Sequence, residues 1–143
     1  MRVIAGTFRS RILNEVESNN TRSTKDRVKE QIFNSVGPYF NGLSVLDLFS
    51  GSGSLGIEAI SRGVDKCVFV DNDRLAIKVI TDNILKLKIQ DQSDIIQSLY
   101  GDYINNTNEE FDLIFFSVNL LWTEGGEVDR QNKVEGYACL ETA

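Results

Sequence analysis

The sequence predicts an α/β fold built on a mostly parallel, Rossmann-like sheet. Two observations carry this prediction. Short apolar runs of strand length alternate with longer stretches of helical period, and such alternation yields right-handed strand–helix–strand units with helices over both faces of a parallel sheet. A glycine-rich turn, Gly51-Ser52-Gly53-Ser54-Leu55-Gly56, falls between the first apolar run and the helix after it. The 143 residues suit one domain with one core, and 41% hydrophobic with 25% charged residues is a globular balance that argues against disorder.

Residues 1–20 read as irregular or short-strand material: Arg2-Val3-Ile4-Ala5-Gly6 opens a hairpin and Ser18-Asn19-Asn20 is a loop. Thr24 is the N-cap of a helix reaching Val36, with Asp26 in its first turn, where the helix dipole favours a carboxylate. Val28, Ile32 and Val36 recur on one face beside Phe33, and Gly37-Pro38 stops the helix. Ser44-Val45-Leu46-Asp47-Leu48-Phe49 is a buried strand. A helix over 55–62 follows, stopped by Gly63. Lys66-Cys67-Val68-Phe69-Val70 is a second buried strand, and residues 74–88 form a helix with Ile77, Ile80, Ile84 and Leu87 at spacings of three and four. Asp94-Ile95-Ile96-Gln97 is a weaker third strand, 105–110 a polar loop, and Phe111-Asp112-Leu113-Ile114-Phe115-Phe116 a fourth strand. Residues 117–143 show no clear period. The organisation is a basic arm and helix over 1–40, a core over 41–116 and an atypical tail over 117–143, with no internal repeat.

Composition narrows the chemistry. The chain has no histidine, which removes His-based triads, proton shuttles and metal sites. Cys67 and Cys139 are far apart and lack partners at metal-ligand spacing, so neither a disulfide framework nor a zinc site is expected. There is no apolar stretch of roughly 18 residues and no secretory pattern at the N-terminus, so no membrane span and a cytoplasmic location are expected. The net charge of −6 is not that of a nucleic-acid binder as a whole. Its distribution is uneven: residues 1–29 carry seven basic and three acidic groups, a net +4 that leaves −10 for the rest. A basic arm on an acidic body can meet phosphate locally; the plainer reading is a solvated segment with scattered charges.

The glycine turn offers backbone N–H groups at a helix N-terminus and close approach to a ligand; the alternative is a flexible serine–glycine connector. Asp47, four residues before Gly51, would repel a pyrophosphate and favour the ammonium and sulfonium charges of S-adenosylmethionine, and no lysine or arginine lies between Asp47 and Ile60 to offset it. Asp71 ends the second strand, 20 residues after Gly51, where a carboxylate can accept both ribose hydroxyls. Asp102, after the third strand, is a candidate acceptor for an adenine amine; its other reading is a turn residue. Asp73 reads as a solvated charge near a helix start.

Taken together, these residues resemble the bacterial RsmD family of 16S rRNA guanine-N2 methyltransferases. Met1 to Gly6 is similar to the family's start. Thr21-Arg22-Ser23-Thr24-Lys25-Asp26-Arg27-Val28-Lys29-Glu30 is similar to its Thr-Arg-Pro-Thr-x-Asp-Arg-Val motif, with Ser23 in place of proline. Val45 to Ala59 matches its cofactor loop, and Val68-Phe69-Val70-Asp71-Asn72-Asp73-Arg74 its second-strand signature. The likeness runs from Met1 to about Phe116, and the N-terminal motif is not shared by methyltransferases in general. It implies a class I S-adenosylmethionine-dependent methyltransferase fold, here truncated after the fourth strand. It also implies cofactor contacts from Asp47, Phe49, Ser50, Gly51, Gly53, Asp71 and Asp102, and phosphate contacts from Arg9, Arg11, Arg22 and Arg27. The implied target is guanine 966 of 16S rRNA, met as free RNA or in a small-subunit assembly particle. No metal is expected, and a monomer if the sheet edge is protected.

The family carries an Asp/Asn-Pro-Pro-Tyr motif after its fourth strand. Its polar groups orient the target amine and its ring stacks on the flipped base. Here the four positions are Ser117, Val118, Asn119 and Leu120. Ser117 accepts one hydrogen bond at most in that role, and Asn119 is two residues late. The sequence therefore reads as a truncated or frame-shifted methyltransferase chain. The alternatives are a non-catalytic module binding S-adenosylmethionine or RNA and, third, a dehydrogenase fragment, against which Asp47 argues electrostatically. Four strands are readable, and the fourth is expected to leave its outer edge bare.

Overall fold

The computed structural model describes residues 1–16, 26–117 and 137–141. Thr24, the expected N-cap, Arg22, Val118, Asn119 and Leu120 lie outside the described residues. The elements are α1 (Asp26–Val36), β1 (Ser44–Leu48), α2 (Ser54–Ser61), β2 (Lys66–Asp71), α3 (Arg74–Leu87), a 3-10 turn (Gln90–Gln92), β3 (Ser93–Gln97), α4 (Tyr100–Asn106), β4 (Leu113–Ser117) and β5 (Tyr137–Glu141). The sheet order is β3-β2-β1-β4-β5. The first four strands are parallel, as the alternating pattern predicts. Two expectations are corrected here. The outer edge of β4 is not bare, because β5 pairs with it antiparallel, Phe115 opposite Cys139. The turn reading of Asp102 gives way to helix α4, which also takes residues 105 and 106 of the expected polar loop and leaves 107–110 as loop.

Alternation along each strand divides the core. Val45, Cys67, Phe69, Leu113 and Phe115 face the side covered by α1, α2 and α3. Leu46, Leu48, Val68, Val70 and Phe116 face the other side, with Tyr103 of α4 and Phe111. On α1 the half-buried residues are the expected Val28, Ile32 and Val36, but the deepest are Phe33 and Lys29. Phe33 packs 5.3 Å from Phe115 and lies under the Arg62 guanidinium, 4.7 Å from its ring centre. The N-terminal arm forms a short hairpin, with Arg2 and Ile12 bridged and Val3 exchanging backbone hydrogen bonds with Arg11 and Ser10.

A buried ionic node fastens that arm. Glu58 sits in α2, every residue of which is buried. Its carboxylate accepts from the backbone N–H of Ile4 at 2.9 Å and of Ala5 at 3.1 Å, and from Arg62 Nε at 2.8 Å. Lys29 Nζ stands 3.5 Å from it and donates to the Arg2 carbonyl at 2.6 Å. Burial pushes the Lys29 pKa down, and the Glu58 carboxylate opposes that shift. Lys29, counted with the basic arm from sequence, is thus an internal strut and offers no charge to solvent.

Helix α2 lies close on the sheet because Gly56 has no side chain. A Cβ there would stand 2.4 Å from Phe69 Cε2 and 2.7 Å from Cys67 Sγ, both fully buried. This is the close helix–strand packing for which the last glycine of such turns is suited. Gly56→Ala is expected to lower stability by ~1–3 kcal/mol through overpacking. A shifted urea midpoint with unchanged slope would register this, whereas an unchanged midpoint would contradict the packing.

Candidate cofactor site

The strand order turns back between β1 and β4, the position at which ligands bind open parallel sheets beyond the carboxyl ends of the strands. Residues 49–53 form the floor of that region. Phe49 follows β1 with φ 56°, and Gly51 and Gly53 come next at 58° and 84°. Only glycine takes such angles without steric cost, so the turn closes tightly. It is pinned by Ser50 N–H to the Val70 carbonyl, by Gly53 N–H to the Ser50 carbonyl and by Ser50 Oγ to the Asp47 carbonyl. The Phe49 ring lies 4.9 Å from Tyr100 and 5.3 Å from Phe116.

The two acids predicted on β1 and β2 both hold this turn. Asp71 Oδ2 accepts from Gly51 N–H at 2.8 Å, and Oδ1 accepts from Asp73 N–H at 2.8 Å. Asp71 is half-buried, which pushes its pKa up while those N–H groups hold it down. Each oxygen keeps a lone pair for a further donor. Asp73 is the N-cap of α3, accepting from Leu75 N–H; the expected charge at a helix start has a structural task.

Asp47 is placed differently from the expectation of a carboxylate facing ligand charge. It is 1% exposed, beneath the turn, with Oδ2 accepting from Gly56 N–H at 3.0 Å. A ligand charge above the turn would meet it through space and not through contact. Burial pushes its pKa up to about 8, with Asp71 adding to the rise and the Gly56 N–H opposing it. Folded Asp47 thus holds its proton more tightly than the unfolded chain does. The penalty is absent below about pH 4, grows as pH rises to about 8 and is constant above. Relative to wild type, Asp47→Asn is expected to gain stability progressively over that window, since Asn still accepts from Gly56. A stability difference independent of pH, by urea titration at several pH values, would contradict the burial.

Asp102 stands apart from these two. It is exposed in the first turn of α4 and lines a groove with Ser98, Asn106 and Thr107. Of the predicted phosphate contacts, Arg9 and Arg27 are exposed, and Arg11 is exposed with its guanidinium 3.4 Å from the Lys86 carbonyl. Arg2, in contrast, pairs with Asp26 at 3.0 Å. Ser117 ends β4, at the carboxyl end of the sheet.

Three residues escaped sequence reasoning. Glu58 is one, described above. Asn83 of α3 is fully buried and bonds both the arm at Asn14 and the turn at Ser52. Ser54, at the start of α2, is buried, and its Oγ lacks a hydrogen-bond partner among the described residues. An orphaned buried hydroxyl calls for a ligand group or a water. Among the described residues no group of three or more His, Cys, Asp or Glu is arranged to hold a metal ion, and no helix is long and apolar enough to cross a membrane.

Comparisons with known proteins place this geometry. The family model described as "Conserved hypothetical protein 95" matches residues 1–117. The Bacillus subtilis (strain 168) protein named "Putative rRNA methyltransferase YlbH" is 48% identical over 98 residues, covering 68% of this chain and 53% of that protein. "Ribosomal RNA small subunit methyltransferase D" of Haemophilus influenzae is 37% identical over 118 residues, covering 80% of this chain and 61% of that protein. The chain thus matches little more than half the length of these curated relatives. The solved structure titled "Putative methyltransferase yhhF from Escherichia coli" superposes with a TM-score of 0.71 over 97% of this chain and 96% of that one; at 23% identity it speaks to the fold alone.

Proposed function

The chain belongs to the RsmD family, the family of the Conserved hypothetical protein 95 model, and from that premise we propose that it carries the cofactor-binding part of an S-adenosylmethionine-dependent rRNA methyltransferase. The observation that carries the reading is Asp71: a half-exposed carboxylate at the end of β2 that holds Gly51 of the turn and keeps acceptor capacity for ribose hydroxyls. The rest of the donor set fits the same ligand. The turn leads into a helix N-terminus, the Ser54 hydroxyl lacks a partner among the described residues, and the buried Asp47 places latent negative charge beneath the turn. When bound, S-adenosylmethionine supplies the methyl group. Asp71 fixes the ribose, and the glycine turn admits the ligand to the backbone. In this reading Asp102 binds the adenine amine, and Phe49 and Ser50 complete the walls. Arg9, Arg11, Arg22 and Arg27 meet the phosphates of 16S rRNA.

The finer reading is transfer to the N2 amine of guanine 966, which rests on the family resemblance. Ser117 bears on the transfer step. It ends β4 where the family places an acid or amide, and a serine hydroxyl cannot take both amine hydrogens. That favours a second reading beside the first, a chain that binds cofactor and RNA without turnover. Incubation with methyl-labelled S-adenosylmethionine and small-subunit RNA tests both. The chain as it stands is expected to transfer methyl on the order of 10²-fold or more slower than a variant carrying Ser117→Asp, Val118→Pro, Asn119→Pro and Leu120→Tyr. Equal rates for the two would remove the motif's role, and transfer to another base would remove the guanine-N2 reading.

A further inference from the structure

We infer that Asn83 is a positioning residue that ties the seating of the N-terminal arm to the conformation of the glycine turn, so that a ligand on the turn and RNA on the arm favour one another. The second half of this inference rests on the function proposed above. The geometry lies in one side-chain amide. Asn83 is fully buried on α3, on the same stripe as Ile80, Ile84 and Leu87. Its Oδ1 accepts from Asn14 N–H at 2.8 Å. Its Nδ2 donates to the Asn14 carbonyl at 3.1 Å and to the Ser52 carbonyl at 3.0 Å. A primary amide has two donor hydrogens; here one goes to the arm and one to the turn.

Ser52 lies between Gly51 and Gly53, both at positive φ, so the direction of its carbonyl reports the conformation of the whole turn. Asn83 projects from a helix of 14 residues packed on β2 and β3 and cannot follow a displaced partner far. Moving the arm or the turn therefore leaves a buried donor unpaired, which is costly. Two further contacts act in the same direction. Ser52 Oγ donates to Met1 Sδ at 3.3 Å, and Ser61 Oγ of α2 accepts from Phe8 N–H and donates to the Ala5 carbonyl. The exposed Arg9 and Arg11 lie in the hairpin that these contacts seat. A ligand that rigidifies the turn thus fixes where those cations stand, and by linkage RNA held by them tightens the ligand.

Hydrogen exchange on the full chain, with and without saturating S-adenosylhomocysteine, tests the inference. In the wild type the ligand is expected to slow exchange of the arm amides Val3, Ser10 and Leu13 by about 5-fold or more. In Asn83→Ala the ligand still binds, but those amides no longer respond. A slowing as large in Asn83→Ala as in the wild type overturns the inference, as does the absence of any slowing in a wild type that binds the ligand. Should Asn83→Ala fail to fold, Asn83→Ser replaces it, and the wild-type response decides if both fail. Should the wild type bind no S-adenosylhomocysteine, the proposed function fails by itself. The tie between arm and turn is then read without ligand. In Asn83→Ala the amides of Gly53 and Ile57 on the turn side and Asn14 on the arm quicken together, and an unchanged turn side overturns it.

Discussion

Replacing Glu58 by alanine is expected to cost ~3–5 kcal/mol of stability, the range for removing one partner of a buried ion pair. The substitution would leave two buried cations, Lys29 and Arg62, without their shared carboxylate. It would also strip the acceptor from the Ile4 and Ala5 N–H groups. The loss is large beside the total of roughly 5–15 kcal/mol that holds a domain folded. Urea unfolding measures it. The arm should detach first, since two of its backbone bonds end on this carboxylate, so amides of residues 3–8 should exchange faster even under native conditions. Lys29→Met, which removes a buried charge and keeps the stem's volume, should cost clearly less than Glu58→Ala, because Arg62 still pairs with Glu58 at 2.8 Å. A Glu58→Ala protein within about 1 kcal/mol of wild type would mean that the node is solvated and not buried.

Asp71→Ala is expected to weaken S-adenosylmethionine binding by on the order of 10²-fold. Hydrogen bonds to a charged group contribute roughly 1.5–3 kcal/mol each, and the proposed ribose contact has two. The same substitution releases Gly51 N–H and Asp73 N–H, so the turn loses its hold as well. Asp73→Asn is the control. Asparagine caps a helix as well as aspartate does, and Asp73 contacts the turn only through Asp71. Its affinity should stay within about threefold of wild type. Equal losses in the two variants would show that the start of α3, and not the ribose contact, sets the affinity.

The parallel strands and the glycine turn were legible because each rests on a local pattern. Val45-Leu46-Asp47-Leu48 and Cys67-Val68-Phe69-Val70 are continuous apolar runs of strand length, and a turn of alternating glycines between strand and helix has few other uses. Asp71 was legible by its distance from the turn. Helix α4 was not, because Tyr100–Asn106 is short and polar and buries only Tyr103, so no apolar stripe marks it. The edge strand β5 was hidden for another reason: an edge strand is defined by its partner, here β4, and not by its own period. Lys29 reads as one charge of the basic arm, since its partner Glu58 stands about 30 positions away, whereas Arg62 pairs with Glu58 one helical turn on. One signal was available. Glu58 lies within Leu55-Gly56-Ile57-Glu58-Ala59-Ile60, a helix with no polar face, so its carboxylate needed a buried cation. Asn83 gave the same kind of signal by standing on the Ile80, Ile84 and Leu87 stripe. The burial of Asp47 beneath the turn depends on which way one strand residue faces, and only the register with Phe69 and Phe115 fixes that.

The most direct test of the central claim is a calorimetric titration of the full chain with S-adenosylmethionine near pH 7. The account predicts one saturable site in the micromolar range. It also predicts proton release on binding, because the ligand's positive charges favour the ionised form of Asp47, whose pKa near 8 leaves it largely protonated beforehand. Measuring the heat in two buffers of different ionisation enthalpy reads that release. A folded, soluble chain that gives no binding heat in either buffer would contradict the account, leaving the acid-held turn as scaffold alone.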